Sequence, residues 1–228
     1  MDQQIILGIG WFAVFLFSTT CHEASHALIA YRLGDPTAYH GGQVSLNPLP
    51  HIRREPFGMV IVPILSFILY HFVIGWASAP YDPNWAREHP RRSALMALAG
   101  PLANLLLVVI SGLFIRIGLE HGWFVPSEII FSAREKAGAF VGLALLLRIF
   151  FILNSILLCF NLLPLPPLDG GSVVTLLMPV RHALNFRDFM SQPTYSLIGL
   201  IVAWNLFPRI FGFVFPLLKQ AVFFNFAG

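Results

Sequence analysis

Apolar runs of about 20 residues, each long enough to cross the roughly 30 Å hydrocarbon core of a bilayer, recur along most of this chain. Apolar residues make up 57% of the 228 positions and charged residues only 11%, which lies outside the usual range of soluble domains. The sequence therefore predicts an integral membrane protein. We expect a single membrane-embedded domain over residues 1–228, with a core over 4–180 and a C-terminal span region over 194–226.

The runs predict an all-α polytopic membrane protein with five to six transmembrane helices. The expected spans cover residues 5–31, 57–76, 93–117, 140–160 and a last region over 195–226, which Pro208 and Pro216 allow to be one kinked span or a span and a hairpin. A loop with a candidate strand, "GQVSL", residues 42–46, follows the first span. Prolines break "NLLPLPPLDGG", residues 161–171, so this segment must line a cavity or be buried in protein.

The distribution of charged residues and cysteines limits the possible partners and the role of the first apolar run. The net charge is +3, but the positive residues are scattered over connecting segments, as in membrane flanks, so the lipid bilayer and not nucleic acid is the expected partner. No Lys or Arg precedes the first run, which therefore predicts a retained span and not a signal peptide. Cys21 and Cys159 both lie in apolar sequence, where we expect them to pack as small hydrophobes.

Two acids are out of place in this pattern. Nine of the eleven acidic residues lie near an end, in a connector or at an interface, and the exceptions are Glu23 and Asp169. A buried ionised carboxylate is costly unless it is compensated, and a divalent cation would compensate both. His22, Glu23 and His26 form an H-E-x-x-H pattern, which on a helix places two imidazoles on one face, within reach of one Zn²⁺.

A catalytic zinc usually has three protein ligands and a water, so the two histidines need a third partner. Asp169 is the best candidate, because it is the other acid set in apolar sequence and follows the proline-broken segment. His71, inside the expected second span, is the alternative. With Asp169 and Glu23 ionised, one zinc ion per chain would leave the site nearly neutral.

The motifs resemble a known family. "HEASH" on an apolar helix, "AGPLAN" in a later span and "NLLPLPPLDGG" are similar to the three motifs of the site-2 protease family of intramembrane zinc metalloproteases, in a compact form without a PDZ or CBS domain. The resemblance implies His22, His26 and Asp169 as zinc ligands and Glu23 as the catalytic acid/base. It further implies that Asn104 and Asn161 line the active site and contact the substrate or the oxyanion.

The expected function is that of a zinc-dependent intramembrane endopeptidase, which hydrolyses peptide bonds within or near the transmembrane segment of single-span membrane proteins. Glu23 would take a proton from water and deliver it to the leaving amine. An extended stretch at residues 41–47 could receive the substrate by strand addition. The family implies a multi-pass protein of the bacterial inner membrane, and a homo-oligomer is compatible with it.

Three other functions compete with this interpretation. A zinc or other ion transporter could use the same site, but it would favour several exchanging ligands and two similar halves, and the sequence has no repeat. A membrane di-iron oxidase needs more His or carboxylate ligands than the spans supply. A metal-binding pseudoenzyme is disfavoured by the intact Glu23. Arg148, inside the fourth span, is expected to snorkel to an interface or to pair with an acid.

Overall fold

Helices dominate the structure, a computed structural model that describes residues 3–127, 130–133 and 138–224. In chain order, the α-helices of this described part are α1 (Gln3–Arg32), α2 (Thr37–His40), α3 (Pro48–Arg54), α4 (Val62–Tyr70), α5 (Pro83–Glu88), α6 (Pro90–Glu120), α7 (Gly138–Asn161), α8 (Asp169–Val173), α9 (Val180–Met190) and α10 (Pro193–Phe223). A π-helical turn, Phe57–Ile61, precedes α4, and a 3-10 turn, Val174–Leu177, follows α8.

Four of these helices, α1, α6, α7 and α10, are long and apolar enough to cross a membrane within the described residues. A shorter apolar helix runs from Phe57 to Tyr70. The predicted all-α membrane fold is therefore confirmed. The described residues contain four helices of spanning length, where the sequence predicts five to six spans. The last region is one continuous helix, α10, in spite of Pro208 and Pro216, which settles the choice between one span and two.

The predicted second span differs from the structure, because its helix ends at Tyr70 instead of crossing to residue 76. His71 adopts a left-handed conformation (φ 55°), and the chain then turns back along α4. The Ser66 hydroxyl accepts the Ile74 N–H at 2.9 Å, and the Trp76 N–H donates to the Gly58 carbonyl at 3.1 Å. Residues 57–76 thus begin and end at the same level, as in a re-entrant hairpin, which membranes tolerate where the backbone is buried in protein.

Strand structure occurs at a different place from the candidate strand. Among the described residues, the sheet consists of β1 (Phe124–Pro126) and β2 (Phe131–Ala133), an antiparallel pair between α6 and α7. Residues 42–46 form a loop without a strand. Gln43 fixes this loop, because its buried amide donates to the Ser78 carbonyl at 3.1 Å.

Helices α1, α6 and α7 form the core that positions the site. Val14 and Phe15 of α1 pack against Ile149 and Leu153 of α7, and a second cluster joins the far halves of α6 and α7 around Phe151. The H-E-x-x-H motif lies beyond these clusters, with His26 six residues, or about 9 Å, from the C-terminal end of α1. The site is therefore close to this end of the helix.

The proline-broken segment lies where the sequence predicts it. Residues 162–168 between α7 and α8 have no regular helix, and the Pro166–Pro167 peptide bond is cis. Leu163 and Leu168 are buried against Ala203 of α10. The segment is thus packed in protein, and it ends where Asp169 begins α8.

Candidate metal centre

His22 and His26 lie one turn apart on α1, and both side chains are buried. Their Nε2 atoms are 3.0 Å apart. Asp169, the first residue of α8, directs its Oδ2 atom at this pair, 3.1 Å from His22 Nε2 and 3.4 Å from His26 Nε2. The structure thus brings together the three residues that the sequence analysis selected as metal ligands.

A hydrogen-bond chain from α7 fixes the proton on His22. The Phe150 carbonyl can only accept, so Asn154 turns its Nδ2 towards it, at 2.9 Å. Asn154 Oδ1 therefore accepts from Asn104 Nδ2 at 2.9 Å, and this leaves Asn104 Oδ1 to face His22 Nδ1 at 2.6 Å. His22 Nδ1 must donate in this bond. A neutral His22 consequently presents an unprotonated Nε2 to the site.

The same logic applies to His26, whose Nδ1 lies 2.7 Å from the Met96 carbonyl. A carbonyl accepts only, so Nδ1 carries a proton, and a neutral His26 presents an unprotonated Nε2. Asp169 Oδ2 is buried and has no hydrogen-bond partner in the described part of the chain. With both imidazoles neutral, three electron-pair donors converge on one point, an arrangement that fits a divalent cation.

Gly100 of α6 provides the space beside these atoms. A Cβ atom at this position would overlap the Nε2 atoms of both His22 and His26. The helix backbone of α6 is thus able to pass directly against the imidazole edges. Gly100 belongs to the "AGPLAN" motif, and the structure places it at the site.

Glu23 is also buried at the site, with 5% of its surface exposed. Its carboxylate belongs to a group with His22 and His26 in which one ligand atom of each residue lies within 4.8 Å of the others. In the described part of the chain, Glu23 has no hydrogen bond or ion pair that would hold it elsewhere. Its carboxylate is therefore free to act beside a metal or to bind it.

Comparison with known proteins decides the class of this site. A family model described as Peptidase family M50 matches residues 10–203, which include His22, Glu23, His26, Gly100, Asn104, Asn154 and Asp169. The chain belongs to peptidase family M50. This family is that of the site-2 proteases, so the predicted resemblance is confirmed. No solved structure matches the chain with significance.

Relatives of this M50 peptidase carry names that assign them to the zinc metalloproteases. YwhC of Bacillus subtilis is 35% identical over 165 residues, which cover 72% of this chain and 67% of YwhC. Rip2 of Mycolicibacterium smegmatis is 30% identical over 166 residues, and Rip2 of Mycobacterium tuberculosis H37Rv is 30% identical over 206 residues. The matches span 54% and 68% of these two proteins. The predicted protease activity and the membrane-embedded zinc metalloprotease class are confirmed.

Two further candidate residues of the M50 peptidase, Asn161 and His71, make no hydrogen bond to the histidine pair within the described residues. Asn161 ends α7, immediately before the proline-broken segment, and its side chain makes no hydrogen bond within the described residues, so its role in the site stays a prediction. His71 lines the same cavity as Gln4 and Gly8, and Gly8 is about 21 Å along α1 from His22. His71 is therefore not the third ligand of the histidine pair.

The structure also adds contacts that the sequence did not predict. Asn104 is fully buried, and its amide oxygen and nitrogen are engaged by His22 and Asn154. Asn154 continues the chain by donating to Ser18 Oγ at 2.9 Å. The available signal was the presence of two asparagines in apolar helices. Their partners depend on the packing of α1, α6 and α7, which no spacing rule gives.

Proposed function

We propose that this M50 peptidase binds one zinc ion through His22, His26 and Asp169. The observation that supports this proposal is the convergence of the two imidazole Nε2 atoms and a buried carboxylate oxygen that has no hydrogen-bond partner in the described residues. Asp169 is preferred over Glu23 as the third ligand because its Oδ2 already lies within 3.1–3.4 Å of both Nε2 atoms. The protein ligands would then number three, as in other catalytic zinc sites.

Glu23 is proposed as the general base and acid of peptide hydrolysis. When bound, zinc supplies Lewis acidity that activates water and polarises a carbonyl. Glu23 takes the proton of the attacking water and delivers it to the leaving amine nitrogen. The hydroxyls of Thr19 and Thr20, buried on the preceding turn of α1 without partners in the described residues, are available to hydrogen-bond water or the substrate backbone.

Asn104 is proposed as a positioning residue for His22. It holds the His22 ring in the tautomer that leaves Nε2 free, as carboxylates and carbonyls do for metal-binding histidines in general. In this role each end of the Asn104 amide contacts a protein side chain, and the substrate or oxyanion contact that the family resemblance implies for Asn104 stays a prediction.

The proposed substrates are single-span membrane proteins, cut within or near the span, in a bacterial cell membrane. The depth of His26, about 9 Å from the end of α1, supports cleavage near one membrane surface. A cavity of about 460 Å³ adjoins α8 and is lined by residues that include Ser172, Arg187 and Asp188. Its lining includes Leu168, the residue before Asp169, so we propose that water approaches the site from this cavity.

Cleavage in liposomes tests this proposal. The chain and its Glu23→Gln variant are each reconstituted with a panel of single-span proteins that carry soluble reporters on both sides, and products are mapped by mass spectrometry. We expect cuts within or beside the span with the wild type and none with Glu23→Gln or after zinc chelation. Equal cleavage by Glu23→Gln, or cuts confined to the soluble reporters, would contradict the proposal.

A further inference from the structure

Helix α10 is far less covered than the other membrane helices. In its most apolar 18-residue stretch, 11% of the residues are buried, against 44–50% in α1, α6 and α7. One face packs on the molecule through Ala203, Phe207 and Phe215. The opposite side, which we call the outward face, exposes Ile198, Val202, Asn205, Arg209 and Phe213.

Arg209 is the most unusual residue of the outward face. It is the 17th of the 31 residues of α10, about 24 Å from the start and 21 Å from the end of the helix, and it is exposed. Within the described residues it has no ion pair, hydrogen bond or ring contact. An unpaired arginine in the middle of an apolar membrane helix is costly in lipid, which implies a partner for it.

The neighbours of Arg209 are suited to receive another helix. Asn205, one turn earlier, donates its Nδ2 to the Ile201 carbonyl at 2.8 Å, so its Oδ1 atom stays available as an acceptor. A Cβ atom at Gly212 would have no atom within 4 Å, so a partner backbone can approach closely there. Pro216 has no N–H to offer the Gly212 carbonyl, which adds a second acceptor.

We propose that the outward face of α10 docks a membrane-spanning helix of another protein, one that carries an aspartate or glutamate at mid-depth. Charge complementarity selects this occupant. A second copy of this chain does not supply the acid, because its two acids in apolar sequence, Glu23 and Asp169, both lie at the histidine pair. Lipid phosphates do not supply it either, because they lie about 15 Å from the bilayer midplane.

The docked helix belongs to a binding partner and is not the scissile substrate. Arg209 and Asn205 lie on the side of α10 opposite Phe207, which faces the molecule, so α10 itself separates the docked helix from Asp169. The family match ends at residue 203, before both polar residues. The polar part of the outward face, Asn205 and Arg209, therefore lies beyond the segment that the M50 model matches.

Binding of a synthetic membrane helix tests the proposal. The probe is a Leu/Ala helix with one glutamate at its centre, and its control is the same peptide with glutamine. Energy transfer between the labelled Glu23→Gln chain and each labelled peptide is measured in liposomes. We expect the glutamate peptide to bind about three- to twentyfold more tightly, the range of interhelical polar pairs in bilayers.

Matched variants assign the preference to Arg209. Arg209→Leu should abolish the preference for the glutamate peptide, and Arg209→Lys should keep this preference. Arg148→Leu, which removes the half-buried arginine of α7, should leave the preference unchanged. Zinc content, measured on each sample, shows that the fold and the metal site are intact. Equal binding of the two peptides by Arg209-containing protein, or a preference that survives in Arg209→Leu, would overturn the proposal. Energy transfer between copies of the chain that Arg209→Leu abolishes would identify a second copy as the occupant and overturn it too.

Discussion

Asn104 Oδ1 accepts a hydrogen bond from His22 Nδ1 at 2.6 Å, and this contact sets which nitrogen of His22 faces Asp169. Replacing Asn104 by leucine removes the acceptor, so the imidazole loses both its orientation and its preferred tautomer. We expect zinc affinity to fall about 10–100-fold, the usual cost of losing such a partner. Competition with a chelator of known affinity measures the change.

Two further variants distinguish a loss of His22 orientation from a general loss of protein stability. Asn104→Asp keeps an acceptor towards His22 and should bind zinc better than Asn104→Leu. Asn205→Leu removes an asparagine from another membrane helix and should not alter zinc affinity. Unchanged zinc affinity in Asn104→Leu would show that Asn104 does not position His22.

Gly100→Ala tests the space beside the histidine pair. The added methyl group would overlap both Nε2 atoms, and the backbone of α6 cannot easily retreat in a packed core. Zinc content should fall from about one per chain towards zero while the helix content stays the same. Gly142→Ala, where a Cβ atom meets no atom within 4 Å, is the control and should keep its zinc. A zinc-loaded Gly100→Ala protein would show that the ligands lie elsewhere.

The identity of the third ligand is tested by removing one carboxylate at a time. Asp169→Ala should lose zinc, since only two protein ligands remain, whereas Glu23→Gln should keep about one zinc per chain. Glu23→Gln should nevertheless lose about 10²–10⁴-fold in peptide hydrolysis, the range of general acid–base contributions. The reverse pattern of zinc content would make Glu23 the ligand.

The chemistry of this site could be predicted from the sequence because intramembrane charge is rare. Glu23 and Asp169 stand out in apolar sequence although 146 positions separate them, and the helical period places His22 and His26 on one face. The contact of Asn104 with His22 and the position of Gly100 beside both imidazoles could not be predicted. Their roles come from the crossing of α6 over α1, a tertiary relation that one-dimensional patterns do not contain.

Span prediction failed at residues 57–76 for a similar reason. Hydropathy counts the apolar residues of this stretch correctly, but it does not detect that the chain reverses at His71. Two hydrogen bonds hold the reversal, from the Ile74 N–H to the Ser66 hydroxyl and from the Trp76 N–H to the Gly58 carbonyl. The loop at 42–46 shows the same limit, because a buried contact of Gln43 and not strand propensity fixes its backbone.

Ser66→Ala should therefore destabilise the re-entrant hairpin. The Ile74 N–H would lose its partner in apolar surroundings, which costs about 1–3 kcal/mol. Thermal unfolding in detergent measures the loss. Ser111→Ala is the matched control, because the Ser111 hydroxyl bonds only carbonyls of its own helix, Leu107 and Val108, and its removal leaves no N–H unpaired. Equal midpoints for the Ser66→Ala and wild-type proteins would argue against the hairpin.

Alanine substitutions at the two glycines that follow Asp169 should affect the metal site to different degrees. A Cβ atom at Gly170 would overlap backbone atoms of Leu162 and Leu163, which cannot move without shifting the proline-broken segment. A Cβ atom at Gly171 would meet the flexible methyl end of Met190 and, at 3.2 Å, the backbone of Leu165. Gly170→Ala should therefore cost about 1–3 kcal/mol of stability through overpacking and also weaken zinc binding, because Asp169 is the adjacent residue.

Gly171→Ala should be the milder of the two, since the Met190 side chain can change rotamer and the remaining contact needs a shift of only a few tenths of an ångström. Zinc affinity and the thermal midpoint, measured together on both variants, separate displacement of Asp169 from general loosening. A Gly170→Ala protein with wild-type zinc affinity would mean that α8 carries Asp169 independently of the segment before it. A larger loss in Gly171→Ala than in Gly170→Ala would instead make the contact with α9 the support of the third ligand.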